Sequence, residues 1–142
     1  MANRRPLVAN TGVLAELPTA DTLNAVRAST SATLASGYAT GAGGAVTQLT
    51  GRTTGVALSK PCGAITLIAA ATTAGQTTTC TVTNTLVAAT DTIVLTLQAG
   101  AGIYFFTAKA AAGSFNLSVY TPAAVVSEAP IINFAIVKAV SA

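Results

Sequence analysis

Histidine and tryptophan are both absent from this chain, and charged residues make up only 8% of its 142 positions. Ordinary soluble domains carry roughly 25% charged residues. Without histidine, the chain lacks the side chain that most often moves protons near neutral pH. The few acidic residues are isolated from one another in the sequence, at Glu16, Asp21, Asp91 and Glu128. We therefore predict that the protein is not an enzyme, and that it has no catalytic residue and no cofactor.

Basic patches and long apolar runs are also missing. The seven basic residues are spread along the chain, and only Arg4 and Arg5 are adjacent, so we predict no nucleic-acid partner. No apolar run reaches the ~18 residues that a spanning helix needs, which predicts no membrane partner. Residues 1–18 contain no unbroken apolar stretch, so the sequence predicts no secretory signal peptide.

The two cysteines, Cys62 and Cys80, are too few to build a zinc site without histidine, so we predict no metal. Cys80 lies on the apolar side of a predicted strand, which favours a buried thiol that packs like a small hydrophobe. A disulfide between the two stays open, although no sign of secretion favours it.

What the chain does have is a period-2 pattern in β-branched residues, clearest in residues 77–98. Thr78, Cys80 and Val82 alternate with a row of threonines, and after a turn at 84–91 Ile93, Leu95 and Leu97 alternate with polar residues. Such alternation predicts strands with one buried face. Helical periodicity is nowhere sustained.

Similar segments separated by turns recur along the chain from residue 45 onward. We predict strands within 45–50, 53–58, 64–68, 77–98 (two), 103–109, 114–120 and 131–138, with loops at 69–76 and 122–130. About eight short strands predict an all-β, antiparallel β-sandwich. Its expected core consists of Ile65, Leu67, Val82, Ile93, Leu95, Leu97, Phe115, Leu117, Phe134 and Ile136.

The N-terminal part has a different character. Its apolar residues are scattered among Pro6, Gly12 and Pro18, a spacing that we take to fit neither a helix nor a good hairpin. We predict an extended N-terminal arm and linker over 1–36 and a β-sandwich domain over 37–142. An extended apolar segment needs a partner to cover it, so we predict an assembly interface at Arg4, Arg5, Leu7, Val8, Val13, Leu14 and Leu17.

The composition also predicts self-association. A hydrophobic, charge-poor chain without a membrane span usually hides surface in an oligomer. We predict a homotrimer, which would suit a fibre axis or a three-fold position on a shell.

A row of threonines at positions 77, 79, 81, 83 and 85 has two interpretations. It is either a hydroxyl ladder for ice or carbohydrate contact, or the solvated or subunit-facing side of an ordinary strand. A ladder needs neighbours with the same motif, and no internal repeat is visible, which favours the second interpretation.

Four segments resemble phage and prophage structural proteins: GYATGAGGAVTQLTGRTTGVALSKPCGAITLI (37–68), TVTNTLVAATDTIVL (81–95), AAAGSFNLSV (110–119) and SEAPIINFAIVKAVSA (127–142). The N-terminal RRPLVANTGVLAELPTADTL is similar to segments that begin phage fibre and decoration proteins. The resemblance implies a capsid decoration (cement) or fibre role and does not say which. Our leading prediction is a decoration protein of the virion surface, made in the host cytoplasm. Its implied partner is the major capsid protein or another virion protein, and the resemblance implies no catalytic residues.

Two alternatives stay open at this point. The chain could be a short head or tail fibre component of the same class of particle. It could also be a glycan-binding cell-surface β-sandwich module, although glycan sites favour exposed tryptophan and tyrosine, and tyrosine is scarce here.

Overall fold

The computed structural model describes residues 40–139 and four short strands nearer the N-terminus, at 6–9, 12–15, 26–27 and 37–38. The chain divides into two compact units, Met1–Ala39 and Thr40–Ala142. The described residues form strands and turns and contain no helix. The predicted all-β class is therefore confirmed for this part of the chain.

Four strands lie in the first unit: β1 (Pro6–Ala9), β2 (Gly12–Ala15), β3 (Val26–Arg27) and β4 (Gly37–Tyr38). β1 pairs antiparallel with β2, and β3 pairs antiparallel with β4. Our expectation that the sequence does not fit a hairpin here is wrong. Two apolar four-residue runs separated by two residues have hairpin spacing, and Pro6 is tolerated as the first residue of a strand.

The second unit contains the remaining described strands, which are β5 (Gly43–Thr47), β6 (Val56–Ala57), β7 (Cys62–Thr66), β8 (Ala70–Thr72), β9 (Gln76–Thr83), β10 (Thr92–Ala99), β11 (Phe105–Ala111), β12 (Ser114–Thr121), β13 (Val125–Glu128) and β14 (Ile131–Val137). They form two four-stranded sheets. Sheet I has the order β10-β14-β7-β5, and sheet II has the order β11-β12-β9-β6. β8 and β13 pair antiparallel with each other, where the sequence predicted only loops.

Both sheets are mixed, which corrects the prediction of a wholly antiparallel fold. β5 runs parallel to β7, and β6 runs parallel to β9. After β5 the chain leaves sheet I, adds β6 to sheet II, and then returns to sheet I as β7. A strand that returns by such a crossover enters the sheet in its original direction, whereas a hairpin reverses it.

Buried side chains from both sheets belong to one hydrophobic core. Seven of the predicted core residues are buried as expected: Ile65, Leu67, Val82, Phe115, Leu117, Phe134 and Ile136. The rings of Phe115 on β12 and Phe134 on β14 lie 5.4 Å apart, so a tilted aromatic pair joins the two sheets. The core also includes Cys80, Val87, Val119 and Ile132.

The three predicted core residues that are not fully buried all lie on β10. Ile93 and Leu95 are partly buried and pack against the core. The prediction for Leu97 is wrong, since 39% of its surface is exposed. Leu97 is paired with the buried Ile132 but lies on an edge strand, beside a register shift between Leu97 and Ala99. Alternation places it on the inner side, but the edge leaves it open to solvent.

Candidate functional site

The predicted assembly interface falls partly on the β1–β2 hairpin. In its register Leu7 lies opposite Leu14, and Val8 lies opposite Val13, so the fold brings these four positions together. Arg4, Arg5 and Leu17 lie outside the described residues. The hairpin register is therefore a structural fact, and the role of this set in assembly stays a prediction.

The outer side of sheet II carries a continuous polar surface, which we call the hydroxyl face. It is built in rows across β11, β12 and β9, since Thr107 lies opposite Ser118 and Ser118 opposite Thr79. In the next row Lys109, Asn116 and Thr81 are aligned in the same way. Its members are Thr77, Thr79, Thr81, Thr83, Phe105, Thr107, Lys109, Ser114, Asn116, Ser118 and Tyr120.

Hydrogen bonds across the strands organise this face. Thr79 Oγ1 and Ser118 Oγ share a bond of 2.7 Å, and Thr81 Oγ1 donates to Asn116 Oδ1 at 3.0 Å. These hydroxyls already have partners, which argues against an ice-binding ladder of free threonines. The sequence signal for the second row was the alternation of Ser114, Asn116, Ser118 and Tyr120, but cross-strand register was needed to set it beside the threonines.

Two aromatic rings stand at one end of the hydroxyl face. Phe105 lies opposite Tyr120, which lies opposite Thr77. The ring centroids are 6.1 Å apart and the planes are tilted by 39°. Phe105 is 58% exposed and Tyr120 is 40% exposed, so the pair presents apolar surface to solvent. Sequence reasoning did not single out Phe105.

The outer side of sheet I is different, and we call it the uncharged face. Across its four strands Val94 is aligned with Ala135, Cys62 and Gly43, and the next row holds Thr96, Asn133, Ala64 and Ala45. Thr47, Thr66, Thr92, Ile131 and Val137 extend these rows. This set contains no Asp, Glu, Lys or Arg residue, and most of its side chains are small.

Two carboxylates, one near each sheet, accept hydrogen bonds from nearby loops. At sheet I, the Asp91 carboxylate forms a 2.5 Å ion pair with Lys138 Nζ and accepts bonds from the backbone N–H groups of Ala88 and Ala139. These contacts, the one from Ala88 first, lower the pKa of Asp91. Lys138 Nζ also donates to the carbonyl of Leu86 at 2.8 Å, so the loop between β9 and β10 is tied to the end of β14.

Beside the start of β11 in sheet II, the Glu128 carboxylate accepts hydrogen bonds from the Tyr104 hydroxyl and from the N–H groups of Ala101 and Gly102. The bond from Tyr104, followed by those backbone bonds, lowers the pKa of Glu128. Burial first, and then the Glu128 carboxylate, raises the pKa of Tyr104 to about 12. Both groups are therefore held in one protonation state near neutral pH.

A buried arginine supports this second carboxylate. Arg52 is 8% exposed, and its Nη2 donates to the carbonyl oxygens of Ala70 (3.1 Å) and Glu128 (2.8 Å) at one end of the β8–β13 pair. The side chain of Gln48 closes the preceding loop by donating to the carbonyls of Arg52 and Thr54. The guanidinium lies near enough to the Glu128 carboxylate to help lower its pKa, but its Nε and Nη1 are buried without a hydrogen-bond partner among the described residues.

The two described acids therefore lie in separate hydrogen-bond networks. Glu16 and Asp21 lie outside the described residues. Cys62 on β7 and Cys80 on β9 are both free, and burial raises the pKa of the Cys80 thiol. In residues 40–139 and the four short strands, no three His, Cys, Asp or Glu residues cluster as metal ligands would. The same residues include no helix long and apolar enough to cross a membrane.

Comparison with known proteins gave no match to any family model, any curated protein or any solved structure. The two outer faces, the aromatic pair and the predicted arm are thus the features on which a functional proposal rests.

Proposed function

We propose that this chain is a non-enzymatic phage virion structural protein. In this proposal it decorates or stabilises the capsid surface as a homo-oligomer and is anchored by its N-terminal arm. The two sheets are taken as an eight-stranded sandwich, and residues 1–36 as the arm. Its partners are further copies of itself and the major capsid protein or another virion protein. The resemblance of the sequence to phage structural proteins is the reason for proposing a phage particle. The uncharged face is the reason for proposing a homo-oligomer.

The uncharged face is the observation that carries the proposal. Large contiguous apolar patches are rare on monomeric soluble proteins and usually mark interaction sites. This face mixes small apolar side chains with threonines and one asparagine, and it has no charged residue to oppose contact with another surface. Here the surface spans four strands, and exposed Val94 and Val137 add apolar area to it. A second copy of the chain, equally poor in charge, is the partner that best fits a surface without charged side chains.

Sedimentation of charge-insertion variants tests the oligomer. Val94→Lys places an ammonium group on the uncharged face, on the edge strand of sheet I. Thr107→Lys places the same group on the hydroxyl face, on the edge strand of sheet II. We expect a wild-type trimer that dissociates in Val94→Lys and persists in Thr107→Lys. A wild-type monomer at every concentration would contradict the oligomer, and the reverse pattern would move the interface to sheet II.

Removal of the arm tests attachment. We expect a variant that lacks residues 2–28 to retain its β-sheet circular dichroism and to lose binding to undecorated particles. The scattered apolar side chains of the arm would supply most of the binding, at about 25 cal/mol per Å² buried. Arg4 and Arg5 would add about 1 kcal/mol or less at an exposed rim. Full binding by the truncated protein would assign attachment to the sheets instead.

Locating the chain in intact particles distinguishes the main proposal from its alternatives. Immunogold labelling on the capsid shell supports decoration, whereas labelling at the tail or on projecting appendages supports a short fibre. Labelling on cells and not on particles would support a glycan-binding cell-surface module, the alternative that the exposed Phe105–Tyr120 pair favours.

A further inference from the structure

The hydroxyl face of sheet II carries a feature that the fold does not require. Among the described aromatic side chains, Phe115 and Phe134 are buried, and Tyr38, Tyr104 and Phe106 are half-buried. Only Phe105 and Tyr120 are exposed, and they lie against each other. Large exposed apolar side chains that cluster on one spot are a recognised sign of a binding site.

The polar groups beside the rings are suited to hydroxylated ligands. Within residues 40–139, Thr107 Oγ1 and Lys109 Nζ have no hydrogen-bond partner. The side-chain oxygen of Asn116 accepts a bond from Thr81, so the side-chain N–H groups of Asn116 remain available as donors. Hydroxyl, amide and ammonium groups therefore follow the aromatic pair along the strands. Aromatic rings beside a few directed polar groups are a combination that ligand sites share, and here it lies on an exposed sheet surface.

Charge further limits the class of ligand. Lys109 is the only charged side chain of the hydroxyl face, and no acidic residue lies in its rows. It lies four residues after Phe105 on β11, about 13 Å along the strand at ~3.3 Å per residue. That span exceeds a single sugar ring. An oligosaccharide with one ring on the aromatic pair would place a later ring, and any carboxylate on it, beside Lys109.

We propose that the hydroxyl face binds an acidic oligosaccharide. One sugar ring stacks on Phe105 and Tyr120 beside Thr77, the following rings hydrogen-bond with Thr107 and Asn116, and a uronate carboxylate pairs with Lys109. This inference goes beyond the decoration role and does not depend on it, because the site lies on sheet II while the proposed subunit interface lies on sheet I.

Calorimetric titration of the full-length protein with polygalacturonate oligosaccharides tests the proposal, with cellohexaose as the neutral comparison. Truncating a ring in the centre of a contact commonly reduces affinity by about tenfold or more. We expect Phe105→Ala and Tyr120→Ala each to weaken the uronate oligosaccharide by at least about tenfold. Lys109→Gln should weaken it as well and remove both its salt dependence and its advantage over cellohexaose.

Val126→Ala provides the matched control, since Val126 is an exposed apolar side chain outside the hydroxyl face. It should bind as the wild type does. Absence of uronate binding by the folded wild type, or unchanged binding in Phe105→Ala and Tyr120→Ala, overturns the proposal. Sedimentation of the same variants gives a further check. Dissociation of the oligomer by the ring truncations would mean that the hydroxyl face is covered by another subunit, which also overturns it.

Discussion

Sheet I and sheet II each combine three strands joined by antiparallel pairing with a fourth strand that joins in parallel, and both contribute to the same core. Their inner sides are alike, because a shared core demands large apolar side chains from both. Their outer sides diverge. Sheet I presents small uncharged residues, and sheet II presents hydroxyls, an amide, one lysine and two rings. Packing explains the likeness, and the two functional proposals rest on the divergence.

The largest expected effect is the difference in folding between a charge placed at an inner position and one placed at an outer position of the same strand. Leu117 is fully buried on β12, and its neighbour Asn116 is exposed. We expect Leu117→Asp to prevent folding, because an unpaired buried carboxylate costs several kcal/mol or more, comparable with the whole stability of a small domain. Asn116→Asp adds the same charge on the outer side and should melt cooperatively. A cooperative thermal transition in Leu117→Asp, followed by circular dichroism, would show that this face is not the core.

A second comparison uses two phenylalanines of sheet II. Phe115→Ala should lower the free energy of unfolding by about 3–5 kcal/mol, because it leaves a cavity in the core beside Phe134. Phe105→Ala should cost about 1 kcal/mol or less, because its ring is largely exposed. Urea denaturation of the two variants measures the difference. Equal losses would mean that the exposed ring contributes to the fold rather than to recognition.

A smaller effect concerns stability at low pH. The pKa of Asp91 is lower in the folded protein than in the unfolded chain, so its stabilisation is complete above the unfolded value near 3.9. The stabilisation is lost as pH falls through the folded pKa. We expect Asp91→Asn to be less stable than the wild type at pH 7, and the gap between them to shrink below about pH 4. Thermal melts from pH 2 to 7 measure this, and a gap that is constant with pH would contradict the assigned ion pair.

The smallest effect concerns stability at alkaline pH and comes from the hydrogen bond between Tyr104 and Glu128. The pKa of Tyr104 is raised to about 12, so its contribution is complete below the unfolded value of about 10 and is lost as pH rises through the folded one. Between pH 10 and 12, we expect the free energy of unfolding to fall less in Tyr104→Phe than in the wild type. Asp91→Asn should keep the alkaline behaviour of the wild type, because its own titration lies at acid pH.

Alternation in the sequence predicts strands that overlap the eight strands of the two sheets, and most of the core, because a strand with one buried face must repeat every two residues. It does not indicate the short strands β8 and β13 or the β1–β2 hairpin. It carries no information on strand direction, so the parallel positions of β5 and β6 were missed. It also does not indicate how far a strand lies from the edge of its sheet, which is why Leu97 was expected to be buried.

The candidate sites were harder to predict, because they depend on register between distant segments. The Thr79–Ser118 bond joins residues 39 positions apart. The threonine row was visible in the sequence, but the strand that completes it was assigned only as an alternating segment. Phe105 and Tyr120 become a pair only through the β11–β12 register. Glu128 and Tyr104 meet through a loop contact that no local pattern indicates.

The path of the chain through β5, β6 and β7 has a consequence for the order of folding. Neither sheet is assembled from one continuous stretch, since sheet I must wait for β14 to reach β7, and β6 is inserted into sheet II from a segment between two strands of sheet I. The entropy of closing these long loops is lost before most contacts form, which places folding on a timescale of about milliseconds to seconds. Because each sheet holds a strand whose chain neighbours belong to the other, the two sheets should form and unfold together as one cooperative unit.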